Sequence, residues 1–266
     1  MSLLPWIILC SALGGIASAA FAVVFLWVSE ERSARILPHF LSFATGALLG
    51  AALLGLLPEA IEGAGVAGAR ALGWSLVLGL GVFFVIEKLV LWWHTHAHES
   101  DGQAHAGHGH AHSPGRDHAS GALVLVGDCL HNTLDGVLIA AAFLTDVTLG
   151  FVTTFAVAAH EIPHRVGDFA ILVHAGWTRK RALILNLGTG LASVAGAIVA
   201  YFGLQRALGF LPFALAFAAA GFLYIAVAGL IPGLHRRSDP RTSAAQVALI
   251  AAGIIVIACA ERLAGE

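Results

Sequence analysis

Charged residues are scarce in this chain of 266 residues. Lys and Arg number 14 and Asp and Glu number 16, which is 11% of the sequence, whereas hydrophobic residues make up 58%. A soluble globular domain carries about 25% charged residues, and the mean hydropathy of +0.85 also excludes an ordinary soluble protein. The composition therefore predicts a multi-pass membrane protein.

Cysteine is sparse too, and basic residues show no excess. Cys10, Cys129 and Cys259 lie in separate apolar runs, so the sequence has neither a disulfide framework nor a Cys-x-x-Cys metal site. A formal net charge of −2 offers no basic surface for nucleic acid. No Lys or Arg precedes the first apolar run, which favours a first transmembrane helix, with a cleaved signal peptide as the alternative.

Long apolar runs are what the sequence has in abundance. We therefore predict an all-α protein with eight transmembrane helices, each about twenty residues long, which is the length that crosses a bilayer. The runs lie near residues 4–28, 36–58, 72–94, 121–145, 147–173, 181–203, 207–232 and 244–261. Nine Lys and Arg residues follow odd-numbered spans and three lie on the other side. This excess marks the cytoplasm, so we expect a plasma-membrane or inner-membrane protein with both termini outside.

A short sequence similarity relates the two halves of the chain. Span two ends with Gly-Leu-Leu-Pro at Pro58, and span seven ends with Gly-Leu-Ile-Pro at Pro232, in the opposite direction through the membrane. This pattern predicts an inverted repeat of spans one to three and six to eight around spans four and five. We divide the chain into residues 1–93 with spans one to three, a cytoplasmic loop at 94–118, and residues 119–266 with spans four to eight.

The cytoplasmic loop is rich in histidine. It holds eight of the 14 histidines of the chain, together with Gly, Ala and Ser, so it cannot bury a core and is expected to be flexible. Neutral imidazoles bind transition metals, and we expect weak metal binding on the cytoplasmic face. A polar linker with an accidental histidine bias is the alternative.

Two polar motifs interrupt spans four and five. Residues 131–136 read His-Asn-Thr-Leu-Asp-Gly, and residues 160–168 read His-Glu-Ile-Pro-His-Arg-Val-Gly-Asp. Ionisable groups at membrane depth are costly and are functional by default. Residues four apart share a helix face, which pairs His131 with Asp135. His160 shares a face with His164 in the same way. Imidazole and carboxylate together suit a divalent transition metal.

The two spans run in opposite directions, which predicts the levels of these residues. His131 is expected level with His164. Asp135 is expected level with His160. Asn132 and Glu161 each follow a predicted ligand and turn about 100° away, toward a neighbouring position. Further polar residues extend a path or a second shell toward the cytoplasm: Asp128, Arg165, Asp168, His174 and Asn186.

Arg165 carries a permanent charge at membrane depth and therefore needs an anionic partner. Glu161 lies four residues before it, in the favourable acid-first order, and Asp168 lies three residues after it. A pair with Glu161 predicts a centre that holds one ion between His131, Asp135, His160 and His164, with Glu161 in a structural role. A pair with Asp168 alone leaves two metal positions open.

A metalloprotease is the main alternative. His160 to His164 satisfies H-E-x-x-H, with Glu161 as general base, and residues 134–136 are similar to the Leu-Asp-Gly of intramembrane metalloproteases. However, Leu-Asp-Gly here precedes H-E-x-x-H, Pro163 interrupts the helix, and His131 would close the open position of a catalytic zinc. We therefore predict that the protein is not an enzyme. A metal sensor without a transport path is a third alternative.

The motifs resemble those of the ZIP family of divalent-metal transporters, in the branch with H-N-x-x-D-G on the fourth helix and H-E-x-P-H-E-x-G-D on the fifth. The resemblance extends over nearly the whole chain and includes Asp128 and Glu87-Lys88. It implies an eight-helix fold, a two-metal centre at mid-membrane, and transport of zinc or a related ion into the cytoplasm by alternating access. Arg165 departs from the family pattern, which has an acidic residue there.

Motif position implies the site residues. The transported ion would be held by His131, Asp135, His160 and His164. The second position would be bordered by Asn132, Asp135, Glu161 and His164, with Asn186 nearby. The ligand set favours Zn²⁺ and also admits Cd²⁺, Mn²⁺, Fe²⁺, Co²⁺ and Ni²⁺. The metal is substrate and we expect no cofactor; the partners are the ion and the lipid bilayer, without nucleic acid, and a homodimer is left open.

Overall fold

The computed structural model of the chain describes residues 2–20, 30–99, 114–174, 176–235 and 239–264. Within these ranges the secondary structure is helical, without strands, which agrees with the predicted all-α class. Helical backbone extends to Glu99 on one side of the histidine-rich loop and begins at Pro114 on the other. The rest of that loop, residues 100–113, lies outside the described residues, so its metal binding stays a prediction.

Long helices follow one another with short connections. Three of them contain or continue into a π-helical stretch, and one connection is a short 3-10 turn. In chain order the elements are α1 (Leu4–Ala12), a π-helical stretch (Leu13–Ala17), α2 (Glu30–Gly50), a π-helical stretch (Ala51–Leu56), α3 (Leu57–Glu99), α4 (Pro114–Thr145), α5 (Val147–His174), α6 (Arg179–Gln205), a 3-10 turn (Leu208–Phe210), α7 (Leu211–Tyr224), a π-helical stretch (Ile225–Leu230), α8 (Ile231–His235) and α9 (Pro240–Ala264).

Several helical stretches are long and apolar enough to cross a membrane. Among the described residues these are Arg35–Lys88, Arg179–Gln205, Leu208–His235 and Pro240–Arg262. Gly65, with φ 61° and ψ −177°, breaks the first of them between predicted spans two and three. Glycine adopts this left-handed region without steric cost. The structure thus agrees with a multi-pass membrane protein, whereas the count of eight spans stays a prediction.

Helix α4 lies at the centre of the packing that positions the polar motifs. It packs most extensively against α6 and also against α5, while α3 packs against α7 and α2 against α9. Glycine permits the closest approach: a Cβ at Gly136 would lie 1.8 Å from the Ser193 carbonyl oxygen, and one at Gly196 would lie 2.1 Å from the Thr133 carbonyl oxygen. Small residues let helix backbones approach in this way in lipid. These contacts fix the axial register of α4 relative to α6.

Replacing Gly196 with Ala should destabilise the protein by about 1–3 kcal/mol, which is the usual cost of overpacking. The new methyl group would meet a backbone carbonyl of Thr133, which cannot rotate away. Gly188 on the same helix has open space around its Cα, so Gly188→Ala should not lower the melting temperature. Thermal unfolding of the two purified variants in detergent checks this, and equal melting temperatures would contradict the close α4–α6 contact.

Candidate metal centre

Two antiparallel helices carry both polar motifs. A single residue, Asp146, separates α4 from α5, and its Oδ1 accepts hydrogen bonds from the backbone N–H groups of Thr148 and Leu149 at 2.8 and 2.9 Å. This carboxylate caps the first turn of α5. Helix α5 then continues through Pro163 to its end. The short link fixes the register of the two helices and so places the motifs side by side.

Four side chains converge between α4 and α5, and we name them the His131 group: His131, Asp135, His160 and Glu161. One ligand atom from each lies within 4.8 Å of all the others. The Nε2 atoms of His131 and His160 are 3.2 Å apart. Asp135 Oδ2 lies 3.6 Å from His160 Nε2, and Glu161 Oε1 lies 3.5 Å from His131 Nε2. This arrangement of nitrogen and oxygen ligands fits a divalent transition metal.

Both carboxylates of the His131 group are buried, and most of their oxygens have no donor among the described residues. Asp135 and Glu161 are fully buried, and both Asp135 oxygens and Glu161 Oε1 accept no hydrogen bond from the described residues. Buried anionic oxygens without a partner are costly. The other ring nitrogen of His160 lies 3.1 Å from the Ala156 carbonyl oxygen, which leaves Nε2 directed into the group. A bound cation would satisfy these oxygens.

His164 lies outside this group, one turn further along α5. Its ring centroid is 5.4 Å from that of His131, so the two side chains lie beside each other, as predicted from the antiparallel helices. However, its Nε2 lies 3.6 Å from Asp168 Oδ2, and 49% of its side chain is exposed. Together with Asp128 these residues form a second set, the Asp168 group, with ligand atoms within 4.8 Å of one another. Glu161, and not His164, thus completes the His131 group.

Arg165 is fully buried between the two groups. Its Nε donates to Glu161 Oε2 at 2.7 Å, its Nη1 to Asp128 Oδ2 at 2.6 Å, and its Nη2 to Asn132 Oδ1 at 2.6 Å. Asn132 in turn donates to Asp128 Oδ1 at 2.8 Å. The structure has the pair with Glu161 that the acid-first spacing predicted, and Asp128 on α4 is a further anionic partner.

Helix α6 completes the surroundings of the guanidinium. Nη1 donates to the Asn186 carbonyl oxygen at 2.9 Å and to the Thr189 hydroxyl, and the Asn186 side-chain amide donates to the Arg165 carbonyl oxygen at 3.2 Å. Asn186 was predicted near the centre, whereas Thr189 was not. The sequence pattern that could have identified Thr189 is its position three residues after Asn186, on the same helix face.

A cavity of about 470 Å³ runs beside both groups. Its polar wall is formed by His131, His160, His164, Asp128 and Asp168. Glu87 and Tyr224 also line the cavity, and the Tyr224 hydroxyl donates to the Glu87 carboxylate. An ion could therefore contact both groups from one space. The side chain of His174, the remaining predicted path residue, lies outside the described part of the structure.

The arrangement does not match an H-E-x-x-H protease site. Such a site binds one zinc through both histidines, but His160 and His164 belong to different groups. Glu161, which would be the general base of a protease, accepts a hydrogen bond from Arg165 and lies among the metal-ligating side chains.

Comparison with known proteins finds similar sequences over nearly the whole chain. The sequence profile of a family described as "ZIP Zinc transporter" matches residues 3–261. The chain is 33% identical over 276 residues to "Zinc transporter ZIP13" of Pongo abelii, covering 95% of this chain and 77% of the relative. It is 34% identical to the protein of the same name in Homo sapiens, covering 95% and 80%. "Zinc transporter SLC39A7" of Rattus norvegicus is 31% identical, covering 91% and 69%.

Replacing Arg165 with Met should destabilise the protein by about 3–5 kcal/mol, because Glu161 and Asp128 would stay buried without their counter-charge. The stability of Arg165→Lys should lie between those of the wild type and Arg165→Met, since one ammonium group cannot bond to three helices at once. Arg70 is exposed, so Arg70→Met should change stability by less than about 0.5 kcal/mol. Unfolding in detergent measures all three, and wild-type stability of Arg165→Met would contradict a structural role for this network.

Proposed function

Because this chain belongs to the ZIP zinc transporter family, we propose that it carries zinc into the cytoplasm by alternating access, with one ion held in the His131 group. Zinc transport, a non-enzymatic activity, follows from the family and its relatives. The direction, the ligands and the number of ions are our proposal. One observation carries it: two imidazoles converge beside a cavity with two buried carboxylates, and three of the four carboxylate oxygens accept no hydrogen bond from the described residues.

The proposed direction rests on the charge of the connections between spans. The excess of Lys and Arg after odd-numbered spans orients these ends toward the cytoplasm, with both termini outside and the chain in the plasma or inner membrane. In that orientation Asp128 and Asp168 lie on the cytoplasmic side of the His131 group. The cavity is lined by both of them and by Glu87 at the end of predicted span three, so we assign it to the cytoplasmic half of the path.

The proposed fold is eight spans with an inverted repeat. In such a repeat, span two corresponds to span seven and span three to span eight. The contact between α3 and α7 then corresponds to the contact between α9 and α2, and both contacts are extensive. The π-helical stretches Ala51–Leu56 and Ile225–Leu230 both lie just before the similar Leu-Pro and Ile-Pro pairs. Gly15 of span one lies directly against Gly190 of span six. These paired features support the repeat.

Arg165 is the reason for proposing one ion where the resemblance implies two. Its guanidinium bonds to Glu161 and Asn132, which border the second metal position in the family pattern. A permanent cation therefore occupies the surroundings of that position. A divalent ion placed there would meet this charge and would have to displace its hydrogen bonds. Nitrogen and oxygen ligands in the His131 group favour zinc, with Cd²⁺, Mn²⁺, Fe²⁺, Co²⁺ and Ni²⁺ as competitors.

Proteoliposomes with the purified protein should take up zinc, and His160→Ala should lower the apparent affinity by about tenfold or more, since even weaker perturbations of metal sites cost 10–100-fold. His39 is exposed and away from the cavity lining, so His39→Ala serves as the matched control with wild-type uptake. Uptake is measured with a zinc-sensitive dye inside the vesicles. Lack of uptake by wild type would refute the function, and unchanged uptake by His160→Ala would refute the site.

Within the His131 group, zinc-soaked crystals should show a single anomalous peak, bonded to Glu161, His131, Asp135 and His160. Arg165→Glu restores the acidic residue of the family pattern and removes the fixed cation. Crystals of that variant should show an additional peak bonded to Glu161 and Asn132. A wild-type peak bonded to both Glu161 and Asn132 would contradict the one-ion centre.

A further inference from the structure

The Asp168 group is a second set of metal-ligating side chains beside the first. It brings one imidazole from α5, one carboxylate from α5 and one carboxylate from α4 within 4.8 Å of one another. We propose that Asp128, His164 and Asp168 form a second zinc site, which takes the ion from the His131 group and releases it toward the cytoplasm. This inference rests on the proposed function and adds a step to it.

An unsatisfied oxygen points to a cation at this place. Asp168 is 5% exposed, and its Oδ2 accepts no hydrogen bond from the described residues. The nearest partner given by the structure is His164 Nε2 at 3.6 Å, which is beyond hydrogen-bond distance. A buried anionic oxygen without a donor is costly. A zinc ion between Asp168 and His164 would satisfy the oxygen and would use the imidazole as a neutral ligand.

The third ligand is held in position before an ion arrives. Asp128 Oδ2 accepts from Arg165 at 2.6 Å, and Asp128 Oδ1 accepts from Asn132 at 2.8 Å. Hydrogen bonds of this kind orient the ligands of a metal. The bond to Arg165 also weakens the site, because a fixed positive charge beside the carboxylate lowers its attraction for a second cation. Weak binding is what a release step needs.

The geometry also provides the transfer between the two groups. The rings of His131 and His164 are 5.4 Å apart, and both line the same cavity. Residues 160, 164 and 168 succeed one another at intervals of four residues, about 6 Å along α5. An ion that leaves His160 can therefore bind His164 while still in contact with His131. With three protein ligands and a half-exposed imidazole, the second site keeps positions for water, through which the ion exchanges with solvent.

The test separates binding from release with Asp168→Asn, which preserves shape and removes one anionic ligand. Zinc uptake into proteoliposomes should lose about tenfold in maximal rate, while the apparent KM changes by less than about twofold, because the first binding group is intact. Glu62 is exposed, and Glu62→Gln is the matched carboxylate-to-amide control with wild-type kinetics.

Zinc-soaked wild-type crystals should show an anomalous peak among Asp128, His164 and Asp168. Asp168→Asn should lose this peak and keep the one at the His131 group.

The inference would be overturned by the absence of a peak at this place in wild-type crystals at saturating zinc, or by a wild-type maximal rate in Asp168→Asn. Loss of both peaks in Asp168→Asn would also overturn it, because the residue would then act on the whole structure. If that variant does not fold, His164→Ala, at a half-exposed position, takes its place with the same expected results. Failure of the wild type to take up zinc would instead refute the proposed function.

Discussion

The buried guanidinium of Arg165 is the interaction on which the polar interior depends. A permanent charge among apolar helices is tolerated only with anionic partners and satisfied donors, and here Glu161 and Asp128 supply the anions from two different helices. Each of these carboxylates also takes part in a metal-ligating group. Glu161 presents Oε2 to Arg165 and Oε1 to His131, while Asp128 belongs to the Asp168 group. One fixed cation therefore holds ligands of both groups in place.

This arrangement requires accurate placement of α4 between α5 and α6, and the apolar packing provides it. Gly136 and Gly196 bring the α4 and α6 backbones into contact, at residues that neighbour the ligand Asp135. Since lipid gives no hydrophobic drive for helices to associate, such close packing and polar contacts between helices take over that role. Polar and apolar interactions thus agree on one register of the three helices, which is a mark of a sequence that specifies a single structure.

The sequence predicted the helices of the site and their relative levels better than it predicted which atoms meet. Periodicity and antiparallel direction placed His131 beside His164 and Asp135 beside His160, and the structure has both contacts. The choice between Glu161 and His164 in the first group depends on side-chain rotamers, about which helical periodicity says nothing.

Tertiary contacts account for what else was missed. Asp128 as partner of Arg165, and the contribution of Thr189, arise from packing between helices distant in sequence. The π-helical stretches leave no residue pattern of their own. A single residue, Asp146, links α4 to α5, and Arg165 bonds to groups on α4, α5 and α6, so this network opposes separation of the three helices. The backbone irregularities at Ala51–Leu56, Gly65 and Ile225–Leu230 lie in the surrounding helices. Under the proposed alternating access, these irregular stretches are the places where the surrounding helices would bend, while the bonds of Arg165 hold α4, α5 and α6 together.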